Sequence, residues 1–346
     1  MSSPPERGLP GPVAELTSVS PTEAVVHDGL DVRVHRGLTP DTAYEIDGFS
    51  FKTLPHPGEL LSTFATVNDV HFGEEECGVI TGSDVGPTFR ADPGDDPYPA
   101  VMNEGAVAEI TALDPAAVLV KGDLTSNGTA EEYKAFLELY GGAFGERLHH
   151  VRGNHESYHH APFAAIATQE IVLPGVRLVM LDTSLDGLPS GGLSHDQLDW
   201  LDALAAESDR PVLVFGHHHV WDPSSRHRPA TYFGIRPDDS EALIDVVARR
   251  PSIRGYFAGH THRNRVRRFA ATGALPWVEV ACVKDYPGAW AEYRVHERGI
   301  LQIFHRISTE PALIWSEKTR QMYEGTYGPY AFGTLSDRCF EVPVDG

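Results

Sequence analysis

Apolar positions along this chain come in short bursts, and from about residue 59 they alternate with stretches of helical periodicity. The runs at 63–67, 116–120, 176–181, 211–215 and 277–283 have the length and character of buried strands. Between them, 129–140, 195–206 and 239–249 carry apolar residues at helical spacing. Thr129 ahead of Glu131 and Glu132, and Ser194 ahead of Asp196, supply helix starts. Strands alternating with helices predict an α/β domain with covered sheets over residues 59–310. The segments 289–295 and 299–305 predict a hairpin around Glu297, Arg298 and Gly299.

The pattern upstream is different. Val32 and Val34, Tyr44 and Ile46, and Phe49 and Phe51 alternate with polar residues between turns. This predicts a small β module over 23–58, too short for a complete sandwich. Its GLTPDTAY stretch resembles the corner of fibronectin-like sandwiches, where a tyrosine hydroxyl bonds back to the backbone. Pro, Ser and Gly crowd residues 1–22, which are predicted to form a flexible leader. Residues 311–346 are aromatic and irregular and are predicted to be a tail packing on the domain. There, Tyr323, Tyr327, Tyr330 and Phe332 offer apolar contacts, and Arg320 offers a cation for a phosphate.

Charge narrows the function. The 28 basic and 49 acidic side chains leave a formal net charge of −21, a field that repels polyanions and argues against a long nucleic-acid footprint. A small phosphorylated substrate remains possible where positive charge is concentrated at one point. No run approaches eighteen apolar residues, so no membrane span is expected. No basic start followed by an apolar run indicates a secretory signal. Cys77, Cys282 and Cys339 are scattered and odd in number, which predicts reduced thiols in a cytoplasmic protein. No pattern bears on oligomeric state.

The 18 histidines cluster, and they cluster where apolar runs end. ATVNDVH ends in Asp69 and His71, which share one face of an extended segment. AAVLVKGD ends in Asp123, LHHVRGNHE in Asn154 and His155, PVLVFGHHH in His217, and RGYFAGHTH in His260 and His262. Loops at the carboxyl ends of strands form the ligand crevice of α/β sheets, so five such ends converge on one place. Gly122, Gly153, Gly216 and Gly259 each precede a candidate ligand and are expected to permit a sharp departure from the strand. Asp69, His71, Asp123, Asn154, His217, His260 and His262 offer O and N donors without thiolate. That set suits Fe, Mn, Zn or Co. Seven donors exceed one tetrahedral ion and fit two ions sharing a bridge. A water between two such ions loses a proton near neutral pH, which predicts metal-hydroxide attack on phosphorus.

This order of motifs (D-x-H, GD, GNH with a following acid, a His-bearing strand end, then G-H-x-H) resembles the calcineurin-like metallophosphoesterase superfamily. The resemblance implies a four-layer αββα sandwich of two mixed β-sheets flanked by helices. It implies a first metal held by Asp69, His71 and His262, a second held by Asn154, His217 and His260, and Asp123 bridging them. His155 is left free to meet the phosphate or the leaving group. GDLTSNGTAEEY looks most like the bacterial cyclic-nucleotide and glycerophosphodiester phosphodiesterases, which favours a diester over a monoester. Ser126 stands where purple acid phosphatases carry a metal-binding tyrosine, although the N-terminal β module resembles theirs. GHHHV leaves His218 as the alternative to His217, and Glu156 stands where Asp is frequent and is expected to give indirect support. His159, His160, His218 and His219 are otherwise expected to be loop residues, Cys77 to be a packing residue, and Arg263 to begin a strand or meet phosphate. The competing readings are a phosphomonoesterase on the same site and a non-catalytic scaffold of the same fold. Specificity is expected from loops 72–102, 157–170 and 220–238 and from the tail.

Overall fold

The computed structural model describes residues 13–80 and 82–344. Two six-stranded mixed sheets stack face to face with helices outside both. The first sheet runs, in spatial order, Phe340–Pro343, Gly299–Arg306, Ala289–His296, Leu60–Val67, Ala117–Lys121 and Leu148–Val151. The second runs Arg265–Arg267, Trp277–Glu279, Ile253–Ala258, Val212–Phe215, Val176–Leu181 and Thr168–Leu173. Each sheet contains a parallel run of strands, from Leu60–Val67 to Leu148–Val151 in the first and from Val176–Leu181 to Trp277–Glu279 in the second. Their carboxyl ends therefore open on one edge of the sandwich.

Period-two alternation explains the layers. In Ala117–Lys121, Ala117 and Leu119 enter the core between the sheets while Val118 and Val120 face the outer helices. In Val212–Phe215, Leu213 and Phe215 point inward and Val212 and Val214 outward. Aromatic rings lock the middle: Phe64 stacks on Tyr293 at 4.6 Å, and Phe215 on Phe257 at 5.1 Å. The helix His195–Glu207, opened by the Ser194 capping box, covers the second sheet together with Pro237–Arg249. These elements and the hairpin at 289–305 match the expectation. The four-layer αββα architecture is borne out.

Three features depart from the sequence reading. Within residues 1–22, Glu15–Val19 is a strand, paired with Glu23–Asp28 in a three-stranded sheet that also contains Asp31–Arg36. Its cause is burial: Leu16 and Val19 pack with Ala24, Val26 and Phe51, and Glu15 pairs with Arg320 at 2.5 Å. The rest of the leader, 1–12, lies outside the described residues. Second, residues 311–344 are less an appendage than part of the sandwich. Glu310–Thr319 is a helix on the first sheet, and Phe340–Pro343 is that sheet's edge strand, with Phe340 and Val342 in the inter-sheet core. Third, a sixteen-residue helix, Tyr98–Leu113, occupies the end of the expected 72–102 loop and the residues beyond it. The small module keeps one predicted detail, since the Tyr44 hydroxyl accepts the Thr39 N–H at 2.8 Å.

Candidate metal centre

All seven candidate ligands and His155 meet at the shared edge. Asp69 and His71 follow Leu60–Val67, Asp123 follows Ala117–Lys121, and Asn154 and His155 follow Leu148–Val151. His217 follows Val212–Phe215, and His260 and His262 follow Ile253–Ala258. Asp69, His71 and His262 bring their donor atoms within 4.8 Å of one another, and so do Asp69, Asp123 and His217. His262 Nε2 lies 3.4 Å from Asp69 Oδ1. Asp123 Oδ2 stands 3.4 Å from Nε2 of His71 and 3.4 Å from Nε2 of His217. One carboxylate oxygen thus approaches both rings.

The backbone is bent to reach this arrangement. Asp69, His71, Asp123, His260 and His262 all have positive φ, between 47° and 68°. A side chain held in that region costs about 1–3 kcal/mol, so five together mark a site where the fold over-determines the conformation. Of the four preceding glycines, only Gly122 has positive φ, at 88°. The other three serve close approach. A Cβ on Gly153 would collide with the Asp123 carboxylate, one on Gly216 with the Tyr256 hydroxyl, and one on Gly259 would come within 2.7 Å of Asp69 Oδ2.

Hydrogen bonds orient several of the candidate ligands. His217 Nδ1 donates to the Lys121 carbonyl at 2.8 Å, which turns Nε2 toward Asn154 Oδ1 at 2.9 Å. Asn154 Nδ2 donates to the Tyr158 hydroxyl at 2.7 Å, keeping its carbonyl on that side. His260 Nε2 donates to the Phe233 carbonyl at 2.5 Å, which leaves the Nδ1 lone pair free. The Asp69 carboxylate accepts the His260 backbone N–H and the Asn68 amide, at 3.0 and 2.5 Å. Glu156 accepts from Thr125 N and Oγ1 and from Gly153 N, tying the Asp123 loop to the Asn154 loop. This is the indirect support expected of it.

The chemistry of the set fits divalent cations. His71 is buried, and neither ring nitrogen has a hydrogen-bond partner. Such a group costs about 1–3 kcal/mol unless something satisfies it. Burial, then Lys284 and His155, hold that imidazole at about 4, in the neutral form that binds metal. Burial also lowers His217, but the Asp123 and Asp69 carboxylates override it and lift the ring to about 9. The space between those carboxylates calls for positive charge. Lys121, wholly buried beneath with its ammonium on the Ala258 carbonyl at 3.0 Å, is brought down to about 7 by burial, with Asp69 opposing.

Some of the other residues match expectation and some do not. His218 and His219 are hydrogen-bonded loop residues, as expected, and both are buried: His218 Nδ1 meets Thr183 Oγ1 at 2.9 Å, and His219 Nε2 meets Tyr232 at 2.9 Å. His218 Nε2 has no partner, and its ring joins His217 and His260 in a further close group. His159 and His160 are exposed. Arg320 does not reach the cleft but bonds Glu15 and Glu317. Arg263 lines the cleft with its guanidinium on Glu279 at 2.9 Å. Cys77 is buried in the core cluster. Sequence reasoning missed Asn68, Lys121, Lys284 and Asp285. The last two follow Trp277–Glu279, at the same edge as the candidate ligands, but no motif marks them.

Residues 62–264, more than half of the chain, match the family model for calcineurin-like phosphoesterases. A probable glycerophosphodiester phosphodiesterase of Arcobacter nitrofigilis is 28% identical over 240 residues, covering 63% of this chain and 82% of that protein. A glycerophosphodiester phosphodiesterase of Enterobacter lignolyticus is 29% identical, covering 70% and 88%. A 3′,5′-cyclic adenosine monophosphate phosphodiesterase of Pseudomonas aeruginosa is 30% identical, covering 50% and 63%. Among solved structures, a dimetal phosphatase from Danio rerio shares the fold with a TM-score of 0.53 at 18% identity, over 72% of this chain and 98% of that one. The chain belongs to the calcineurin-like phosphoesterase family, and it is a metal-dependent phosphoric ester hydrolase.

Proposed function

We propose that this enzyme hydrolyses a small phosphodiester, of the cyclic-nucleotide or glycerophosphodiester kind that its relatives' names describe, on two transition-metal ions. Asp69, His71 and His262 would hold one ion, and Asn154, His217 and His260 the other, with Asp123 shared. The observation that carries this reading is the position of Asp123 Oδ2, 3.4 Å from a ring nitrogen on each side. Fe, Mn, Zn or Co suits such an O/N set. When bound, the ions would supply Lewis acidity toward the phosphoryl oxygens and a water activated near neutral pH.

The chain's own residues divide the remaining work. His155 donates its backbone N–H to Asp123 Oδ1 at 2.9 Å and bonds the Ser126 carbonyl through Nδ1 at 2.8 Å. That leaves Nε2 for the substrate, where the doubly protonated ring would give its Nε2 proton to the departing alkoxide and keep the one on Nδ1. Its ring centroid lies 4.5 Å from that of His71, close enough to act at the same phosphorus. The cleft above has a volume of about 790 Å³, walled in part by Tyr158, Phe233, Tyr323 and Tyr330. It has room for two substituents on phosphorus. Among the described residues, the cleft's two non-histidine cations are already paired, Arg263 with Glu279 and Lys284 with Glu74. Little positive side-chain charge is left for a monoester's second negative charge, which favours a singly charged diester.

A non-catalytic scaffold is the second reading. It is disfavoured by the expense of keeping buried, unpartnered imidazole nitrogens and strained ligand backbones for no chemical return. The described cysteines are all free and buried, which supports a reducing compartment such as the cytoplasm. Among the described residues no helix is long and apolar enough to cross a membrane. The test is a panel of cyclic nucleotides, glycerophosphodiesters and nucleotide monoesters offered to metal-loaded protein. Faster turnover of a diester is expected. A clear monoester preference would replace the diester reading, and no turnover of either would favour the scaffold.

A further inference from the structure

The carboxylate of Asp285 lies in the wall of the cleft, beside the His262 ring. It is 1% exposed. Its Oδ2 lies 3.5 Å from Nδ1 of His262, while Nε2 of the same ring lies 3.4 Å from Asp69 Oδ1. The imidazole is thus suspended between two carboxylates, one at each nitrogen. Asp285 is itself held from several directions. Oδ1 accepts the Tyr327 hydroxyl at 2.6 Å and the Cys282 thiol at 3.0 Å. Oδ2 accepts the Cys77 thiol at 3.5 Å and has the Lys284 ammonium at 3.8 Å.

We infer that Asp285 is a positioning residue that holds His262 with its proton on Nδ1 and its Nε2 lone pair toward Asp69, and that Tyr327 of the C-terminal segment fixes Asp285 for this role. The inference rests on the ligand reading given above for His262. A carboxylate behind a metal-binding imidazole sets its tautomer and rotation and raises its donor strength. The hydroxyl and thiol donors occupy Oδ1, so the carboxylate presents Oδ2 to the imidazole and does not rotate freely. The C-terminal segment is clamped beside the same ligand at further points. Asn264 donates its backbone N–H to the Ala331 carbonyl at 2.9 Å, and the Tyr330 hydroxyl donates to the Thr261 carbonyl at 3.1 Å. The segment expected to tune substrate choice therefore also shapes the metal site.

The test uses the full chain with Asp285→Asn, Asp285→Glu and Tyr327→Phe variants, titrated with Co²⁺ alone and followed by its visible absorption. Wild type should take up two ions. Asp285→Asn should weaken one of them 10–100-fold, with a changed Co²⁺ spectrum for that ion and the other unaffected. Asp285→Glu should recover part of the affinity. Tyr327→Phe should weaken the same ion by a smaller factor, and it keeps the question answerable if Asp285→Asn does not fold. Hydrolysis should return toward the wild-type rate at saturating metal. Wild-type affinity and spectrum in the folded variants would overturn the inference while leaving the two-ion reading intact. A third ion in wild type, lost in Asp285→Asn, would make Asp285 a ligand and overturn it too. Failure of wild type to bind any ion would remove the ligand reading and the inference with it.

Discussion

Nε2 of His217 faces Oδ1 of Asn154 at 2.9 Å. With the His217 Nδ1 proton committed to the Lys121 carbonyl, a neutral ring points a lone pair at another lone pair. Two acceptors at that distance repel unless a cation lies with them, either a proton on the ring or a metal ion against both. Tyr158 holds the amide in this orientation. Tyr158→Phe should weaken one of two bound ions about 10-fold, and Asn154→Ala should weaken the same ion more. Asp123→Ala should weaken both, because its carboxylate is shared. Calorimetric titration with Mn²⁺ resolves the two ions. Equal losses at both for Asn154→Ala would remove it from a single-ion role.

His155 gives a prediction that depends on the leaving group. His155→Ala should keep both metals and lose about 10²–10⁴ in rate on an alkyl phosphodiester, the usual contribution of a placed acid. A nitrophenolate leaves without help, so the loss on an aryl diester should be much smaller. Steady-state rates on the two esters measure this directly. Equal losses would recast His155 as a group that meets phosphate charge. Loss of metal would place it among the ligands, which the proximity of His71, Asp123 and His155 donor atoms makes a real alternative.

Much of this site was legible because its residues interrupt apolar runs. Polar side chains at the ends of buried strands have few structural uses, and five such interruptions point to one edge. What escaped notice lacks that contrast. Asp285 comes six residues after the end of Trp277–Glu279, in a stretch with no motif, and only packing brings it to His262. The helix Tyr98–Leu113 shows little amphipathic contrast because small residues let it sit deep. Gly105 faces Ile307 and Thr309 so closely that a Cβ would collide with both. Glu15 looked like part of a polar leader, yet its partners Arg320 and Tyr286 lie some 300 residues away along the chain. The glycines before the ligands were located from sequence, but three of the four are there for space rather than for φ.

The N-terminal module carries its own pH dependence. His27 bridges Thr17 at 2.8 Å and Ser308 at 3.1 Å, joining the module to the first sheet. Burial, then Arg306 and Arg320, hold its imidazole down at about 3, with Glu317 acting the other way. The neutral ring is therefore the folded form. Its stabilisation is complete above the ordinary value of 6.5 and declines as pH falls from there toward 3. The limit of that decline is about 1.4 kcal/mol per pH unit. Thermal midpoints should fall between pH 7 and pH 5, and His27→Gln should flatten that slope. An equal slope in the variant would assign the acid sensitivity to other groups.

Metal-stripped protein titrated with Mn²⁺, with bound metal and hydrolysis of bis(p-nitrophenyl) phosphate followed together, tests the central claim most directly. The geometry around Asp123 predicts two ions per chain at saturation, with hydrolysis rising as the second ion is taken up. Saturation at one ion, or hydrolysis that is complete before the second ion binds, would contradict a shared two-ion centre.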